Sequence, residues 1–261
     1  MRKNNRNEGS EQIREGIQEF ESKKNLRKRS LTRQEIENCG VILTPKQTLL
    51  YKGIRNNILT VTHGPAGVSK TFSTCYAALS LLADKKIERI IITKPIQESG
   101  ENLGALPGSI AEKIDPYKRS YYTTFCKIIG KQSTDFLFST EEIVFEPLAY
   151  MRGSTYDNCI MLLDEAQNSS IKQIILWVTR IGKDSKAVMM GDTSQYDVRK
   201  RDSGYVDFIE MVRGMNNLYL HEFTNEDIVR NPFLIELTNR YDKYRYGKES
   251  SYELKKIKEE E

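Results

Sequence analysis

Short apolar runs alternate along this chain with longer segments in which apolar residues recur every three or four positions. Ile58-Leu59-Thr60-Val61-Thr62 predicts a buried strand, and the stretch from Thr71 to Leu82, with Tyr76, Leu79 and Leu82 among its apolar positions, predicts a helix. Further strands are predicted at Arg89–Thr93, Ile143–Glu146, Cys159–Leu163, Ala187–Met190 and Leu218–Leu220. Further helices are predicted at Ile110–Ile129, Ile171–Thr179, Tyr205–Met211 and Pro232–Tyr244. Strands that are apolar almost throughout, separated by helices, point to a mostly parallel sheet covered on both faces, a three-layer α/β/α architecture. Such sheets bind ligands beyond the carboxyl ends of their strands.

The two ends of the chain break the pattern. Residues 1–40 are polar and charged, with a helix predicted from Glu11 to Arg33 on the spacing of Ile13, Ile17 and Phe20. The bases Lys23, Lys24, Arg27, Lys28 and Arg29 suit a solvated arm, partly helical or disordered, or an arm on nucleic acid. Residues 247–261 form a second charged tail, leaving 41–246 as the folded domain. An apolar share of 38% is enough for one sizeable core. Forty Lys and Arg against 36 Asp and Glu give a net charge of only +4, which by itself does not argue for nucleic acid.

Cys39, Cys75, Cys126 and Cys159 are far apart, and His63 and His221 are the only histidines, so no zinc-type spacing exists. Reduced thiols in a reducing compartment are expected. No apolar run approaches the roughly 20 residues of a membrane span, and no apolar stretch follows the basic N-terminus. A cytoplasmic protein without a membrane partner is expected. Richness in Lys, Asn and Ile suggests an A+T-rich genome, bacterial or phage.

Gly64-Pro65-Ala66-Gly67-Val68-Ser69-Lys70-Thr71 follows the first strand and opens the next helix, the context that a phosphate-binding loop requires. Glycines let the backbone approach a phosphate, and the first N–H groups of the helix have no internal partner and face the anion. Lys70 adds positive charge toward the β- and γ-phosphates, and the Thr71 hydroxyl is a ligand for Mg²⁺. The pattern G-x-x-x-x-G-K-[ST] asks for a second glycine where Ser69 stands, so strain is expected if φ there is positive.

Leu162-Leu163-Asp164-Glu165 ends an apolar strand in two carboxylates. Buried strands do not end in paired acids without a cation nearby. Asp164 suits the Mg²⁺ shell, and Glu165 suits orienting or deprotonating an attacking water. Asn168 and Ser169 read as caps of the next helix. Gly191-Asp192-Thr193-Ser194-Gln195 ends another strand; Gln195 suits sensing the γ-phosphate, although Asp-Thr-Ser is also ordinary turn chemistry.

Taken together, Gly64–Thr71, Leu163-Asp164-Glu165-Ala166-Gln167-Asn168 and Gly191–Gln195 resemble the PhoH-type ATPases. The resemblance continues through Thr44-Pro45-Lys46-Gln47, Thr93-Lys94-Pro95, Gly100–Gly108, Pro147–Gly153 and Asp227–Pro232, and covers about residues 44–244. It implies a P-loop NTPase core akin to one RecA-like half of a superfamily 1 helicase, with ATP, ADP and Mg²⁺ as ligands and a link to phosphate starvation and RNA metabolism. By the same likeness Gln47 would contact adenine and Gln195 the γ-phosphate. Ser69 departs from the family's glycine, and Lys94 stands where arginine is more frequent.

Helicases of this kind place ATP between two such halves, and this chain has room for one. A homo-oligomer, with a hexameric ring as its specific form, would complete each site. Arg230 reads either as an arginine finger for that site or as a surface arginine at a helix terminus. The loop containing Asn102, with Lys94, Lys113, Lys118, Arg119 and Arg152 and the interleaved Tyr117, Tyr121 and Tyr122, would suit single-stranded RNA or DNA. The same residues also fit a solvated basic face over core tyrosines. Three functions are open: an Mg²⁺-dependent ATPase acting with nucleic acid, a nucleotide-switched binding module with little turnover, and a small-molecule P-loop kinase. The absence of an arginine-rich lid segment and the presence of Glu165 argue against the kinase.

Overall fold

The computed structural model describes residues 30–95, 110–192, 203–241 and 243–244. Six strands form one sheet: β1 (Leu59–His63), β2 (Arg89–Thr93), β3 (Ile143–Phe145), β4 (Cys159–Leu163), β5 (Lys186–Gly191) and β6 (Leu218–Glu222), in the order β3-β2-β4-β5-β1-β6. All neighbouring pairs are parallel. The register brings His63 opposite Gly191, and Leu163 opposite Met189 and Thr93, so β1, β2, β4 and β5 end at a similar level.

Both faces of the sheet are covered, which explains strands without polar alternation. Ile90, Ile92, Ile160, Leu162, Val188 and Met190 enter one core; Ile91, Met161, Leu163, Ala187 and Met189 enter the other. The helices on the first face are α1 (Arg33–Glu37), α2 (Pro45–Asn56), α3 (Lys70–Ala83) and α4 (Ile110–Ser139). Helices α5 (Ile171–Val178) and α6 (Tyr205–Val212) cover the second. A last helix, α7, runs over 232–241.

Most predicted elements recur within a residue or two of their expected ends, and β2 and β4 match to the residue. Three differences have local causes. Helix α2 was not foreseen; Thr44 caps it by accepting from the Gln47 N–H while Gln47 Oε1 accepts from the Thr44 N–H, and Pro45 supplies the preset first φ. Helix α4 passes its predicted end at Ile129, because Gly130 turns the chain at φ 74° and helical geometry then resumes to Ser139. The helix expected over Glu11–Arg33 lies almost wholly outside the described residues, and Arg33 begins a separate short helix capped by Thr32.

The packed body begins before residue 41, where the sequence placed its boundary. Leu31 and Ile36 are buried in the first core. Arg33 and Arg55 both donate to Asp84, at 2.5–2.6 Å, tying α1 and α2 to the C-terminus of α3. The two guanidinium groups hold the Asp84 carboxyl down at about 2. The four cysteines are free. Among the described residues no helix is long and apolar enough to cross a membrane.

His221 on β6 gives the fold an acid sensitivity. It is buried between Tyr219 and Phe223, its Nδ1 lies 3.2 Å from the Tyr219 hydroxyl, and burial, helped by Lys46, pushes its pKa down to about 4. The folded protein keeps this imidazole neutral, whereas the unfolded chain takes up a proton near pH 6.5. Stability is therefore full above about 6.5 and falls as the pH drops toward 4, by on the order of 2–3 kcal/mol. Melting temperatures of wild type and His221→Phe across pH 4–8 check this: the variant should show the shallower decline.

Candidate nucleotide site

The turn between β1 and α3 is built by conformations that few residues adopt. Gly64 has φ 148°, and a Cβ there would lie 2.6 Å from both the Cβ and the carbonyl oxygen of Phe223, so only glycine fits. Gly67 follows at φ 95°. Ser69 is left-handed at φ 66°, ψ 36°, the strained geometry expected where a glycine is usual, and it directly precedes the first helical residue, Lys70. Ser69→Gly should remove about 1 kcal/mol of this strain. A rise of about 2–4 °C in melting temperature is the expected result.

The loop, the end of β4 and the end of β5 converge on a cavity of about 450 Å³ whose lining includes Gly67, Ser69, Lys70, Thr71, Asp164, Glu165, Asp192 and Arg230. Lys70 reaches back over its own loop and donates to the carbonyls of Gly64 and Pro65. Burial pushes its pKa down, while Asp192, Glu165 and Asp164 pull it up. The Asp164 carboxyl is pushed up by burial first and by Glu165 second, with Lys94 opposing. Its Oδ1 accepts the Glu165 N–H at 3.1 Å.

Glu165 stands at φ 53°, ψ 41°, so a second non-glycine residue of the site is left-handed. This geometry turns its side chain out of the strand direction, and 42% of that side chain stays exposed. Lys94 Nζ lies 3.6 Å from Glu165 Oε1 and 5.2 Å from the centre of the Tyr117 ring. Lys94, expected on a nucleic-acid surface, thus sits beside the carboxylate of the cavity.

Thr71 and Asp164 offer a hydroxyl and a carboxylate, the hard oxygen donors that Mg²⁺ prefers. Among the described residues no group of three or more His, Cys, Asp or Glu side chains could hold a metal ion.

The other expected residues fall in several places. Arg230 is exposed and borders the loop of its own chain, where the Val229 N–H donates to the Gly67 carbonyl at 3.2 Å. Gln47 is buried behind the loop: its carbonyl holds the Thr44 N–H, and its amide reaches the Val68 carbonyl at 3.4 Å. Arg152 is exposed in the turn after β3, and Arg119 pairs with Asp115 at 3.5 Å. Lys118 is half-buried on α4. Tyr121, which the sequence left open between stacking on bases and the core, is buried, with its hydroxyl beside Asp164. Gln195, Asn102 and the Lys113 side chain lie outside the described residues.

Two features were missed in the sequence. Thr124 and Lys127, from α4, also line the cavity; only their spacing of three on one helix marks them. Gln167 joins the acidic ends of two strands: its Nε2 donates to Glu165 Oε2 at 2.7 Å, and its Oε1 accepts the Asp192 N–H at 3.0 Å.

Comparison with known proteins gives a consistent result. Residues 41–242 match the family described as PhoH-like protein. A PhoH-like protein of Bacillus subtilis (strain 168) is 37% identical over 203 residues, covering 77% of this chain and 64% of the relative. Protein PhoH of Escherichia coli (strain K12) is 33% identical over 204 residues, covering 77% of this chain and 58% of the relative. The chain thus spans about three fifths of the length of these curated relatives. Among solved structures, a Sulfolobus solfataricus SWI2/SNF2 ATPase core in complex with dsDNA is a remote match, at 13% identity and a TM-score of 0.41, covering 71% of this chain and 45% of that one.

Proposed function

Given that this chain belongs to the PhoH-like protein family, we propose that it binds Mg·ATP in the cavity between β1, β4 and β5 and hydrolyses it, acting with single-stranded RNA or DNA. The observation that carries the reading is the meeting of Lys70, Thr71, Asp164 and Glu165 in one cavity, from segments about 95 residues apart.

Each residue has a part in the reaction. The N–H groups at the start of α3 bind the phosphate oxygens. Lys70 exchanges the carbonyls of Gly64 and Pro65 for the β- and γ-phosphates. Thr71 and Asp164 would hold Mg²⁺, which would supply positive charge to offset that of the phosphates. Glu165 orients a water and accepts its proton as the water oxygen bonds to the γ-phosphorus and the bond to the ADP oxygen breaks. Arg230, reaching its own chain's loop, stabilises the charge on the transferring group in cis. Gln195 reports on the γ-phosphate and Gln47 on the adenine, as the family likeness implies. Lys94, Asn102, Lys113, Lys118, Arg119 and Arg152 are candidates for the nucleic-acid surface. Further subunits, in the specific form of a hexameric ring, close the exposed side of the cavity.

A nucleotide-switched module with little turnover is the alternative, and the strained Ser69 favours it. Phosphate release from Mg·ATP by the full chain, with and without single-stranded RNA, separates the readings. Release that rises with RNA is expected. Release unaffected by RNA or single-stranded DNA removes the nucleic-acid partner, and tight nucleotide binding without release leaves the switch.

A further inference from the structure

Gln167 is buried in the turn Ala166–Asn168, and both ends of its amide are engaged. Toward β4 it gives an N–H to Glu165 Oε2 at 2.7 Å; toward β5 it receives the Asp192 N–H at 3.0 Å. These contacts fix which way the amide faces. A flipped amide would set its oxygen against a carboxylate and its N–H₂ against an N–H, two repulsive pairs in place of two hydrogen bonds.

Glu165 needs such a restraint. Its backbone is in the left-handed region, much of its side chain is open to solvent, and Lys94 approaches its other oxygen only to 3.6 Å. A long side chain in that setting samples several rotamers, and a general base must be held within hydrogen-bond reach of one water. We infer that Gln167 is a positioning residue that aims Glu165 at the attacking water and couples that aim to the end of β5 at Asp192. The inference rests on Glu165 acting as the base in the proposed hydrolysis. Displacement of the β5 end turns or releases the Gln167 amide, and Glu165 loses its orientation.

Two substitutions test the donor. Gln167→Glu keeps an acceptor for the Asp192 N–H but removes the donor to Glu165. Gln167→Met removes both in a similar volume. Both should lower kcat for ATP hydrolysis about 10–100-fold, the usual penalty for a misplaced catalytic group, with KM within about twofold of wild type. In the Glu165→Gln background the same changes should alter the residual rate less than about twofold, because no oriented base remains to be lost. A purely structural Gln167 would lower both backgrounds alike.

A third measurement does not depend on turnover. Hydrogen exchange of the Asp192 amide in the nucleotide-free protein should accelerate at least about fivefold in Glu165→Ala, where no carboxylate fixes the Gln167 amide. If wild type releases no phosphate, the hydrolysis reading fails and this exchange rate alone decides the coupling. Unchanged Asp192 exchange in Glu165→Ala overturns the inference, as does wild-type kcat in both Gln167 variants or an equal loss in the Glu165→Gln background.

Discussion

Glu165→Gln lowers steady-state phosphate release about 10²–10⁴-fold, the contribution expected of a positioned general base, while nucleotide affinity stays within about threefold of wild type. The substitution keeps size and most hydrogen bonding, since a glutamine oxygen can still accept from Gln167 Nε2. It removes the carboxylate proposed to take the proton. It also takes one negative charge from a cavity that holds Asp164 and Asp192 as well, which favours a polyphosphate if it changes affinity at all. A fall in kcat without a rise in Kd is therefore the signature, and rapid-quench measurement of a single turnover shows whether the chemical step is the one slowed. A parallel loss of binding would instead make Glu165 part of the nucleotide-binding surface.

Lys70→Ala produces the second large effect, on binding as well as on rate. Lys70 is held against the loop, and its loss leaves Asp164, Glu165 and Asp192 facing the phosphates without it. An affinity loss of about 10²-fold or more for Mg·ATP follows from removing a charge-assisted contact of about 3 kcal/mol in a partly buried site. The folded protein should tolerate the change. In the nucleotide-free state Lys70 donates to the Gly64 and Pro65 carbonyls, which water can satisfy in an open cavity. Titration calorimetry with ADP and with Mg·ATP, beside a melting curve, checks both parts: weak binding in a chain that melts near wild type.

The parts legible in the sequence were those whose signal is local. β4 was read to the residue because a strand buried on both faces has no polar position to blur its ends, and β2 because exposed Arg89 and polar Thr93 bracket its three isoleucines. The loop was legible because strand, glycines, lysine and helix are contiguous. Ser69 was flagged as strained from its place in the pattern, and φ 66° agrees. Asp164 and Glu165 stood out because acids rarely close an apolar run.

What was not legible depends on which elements become neighbours. Gln167 gains its second partner only because β4 lies beside β5, which brings the Asp192 N–H to its amide oxygen. Val229, beside Arg230, bonds Gly67 of its own chain across about 160 residues, which spacing could not show. Tyr121 and Tyr122 are adjacent, yet one is buried beneath the sheet and the other half-buried; the choice was made by how α4 rolls on the sheet. Helix α2 was missed because its apolar stripe is short, Leu50, Tyr51 and Ile54, and its clearer signal is the Thr44–Gln47 cap with Pro45.

The central claim is that this cavity turns over Mg·ATP. Phosphate release by wild type and by Lys70→Ala, purified identically and assayed at one protein concentration with excess Mg·ATP, tests it most directly. Steady release by wild type and loss of at least about 99% of it in Lys70→Ala are expected. Equal release by the two proteins would contradict it.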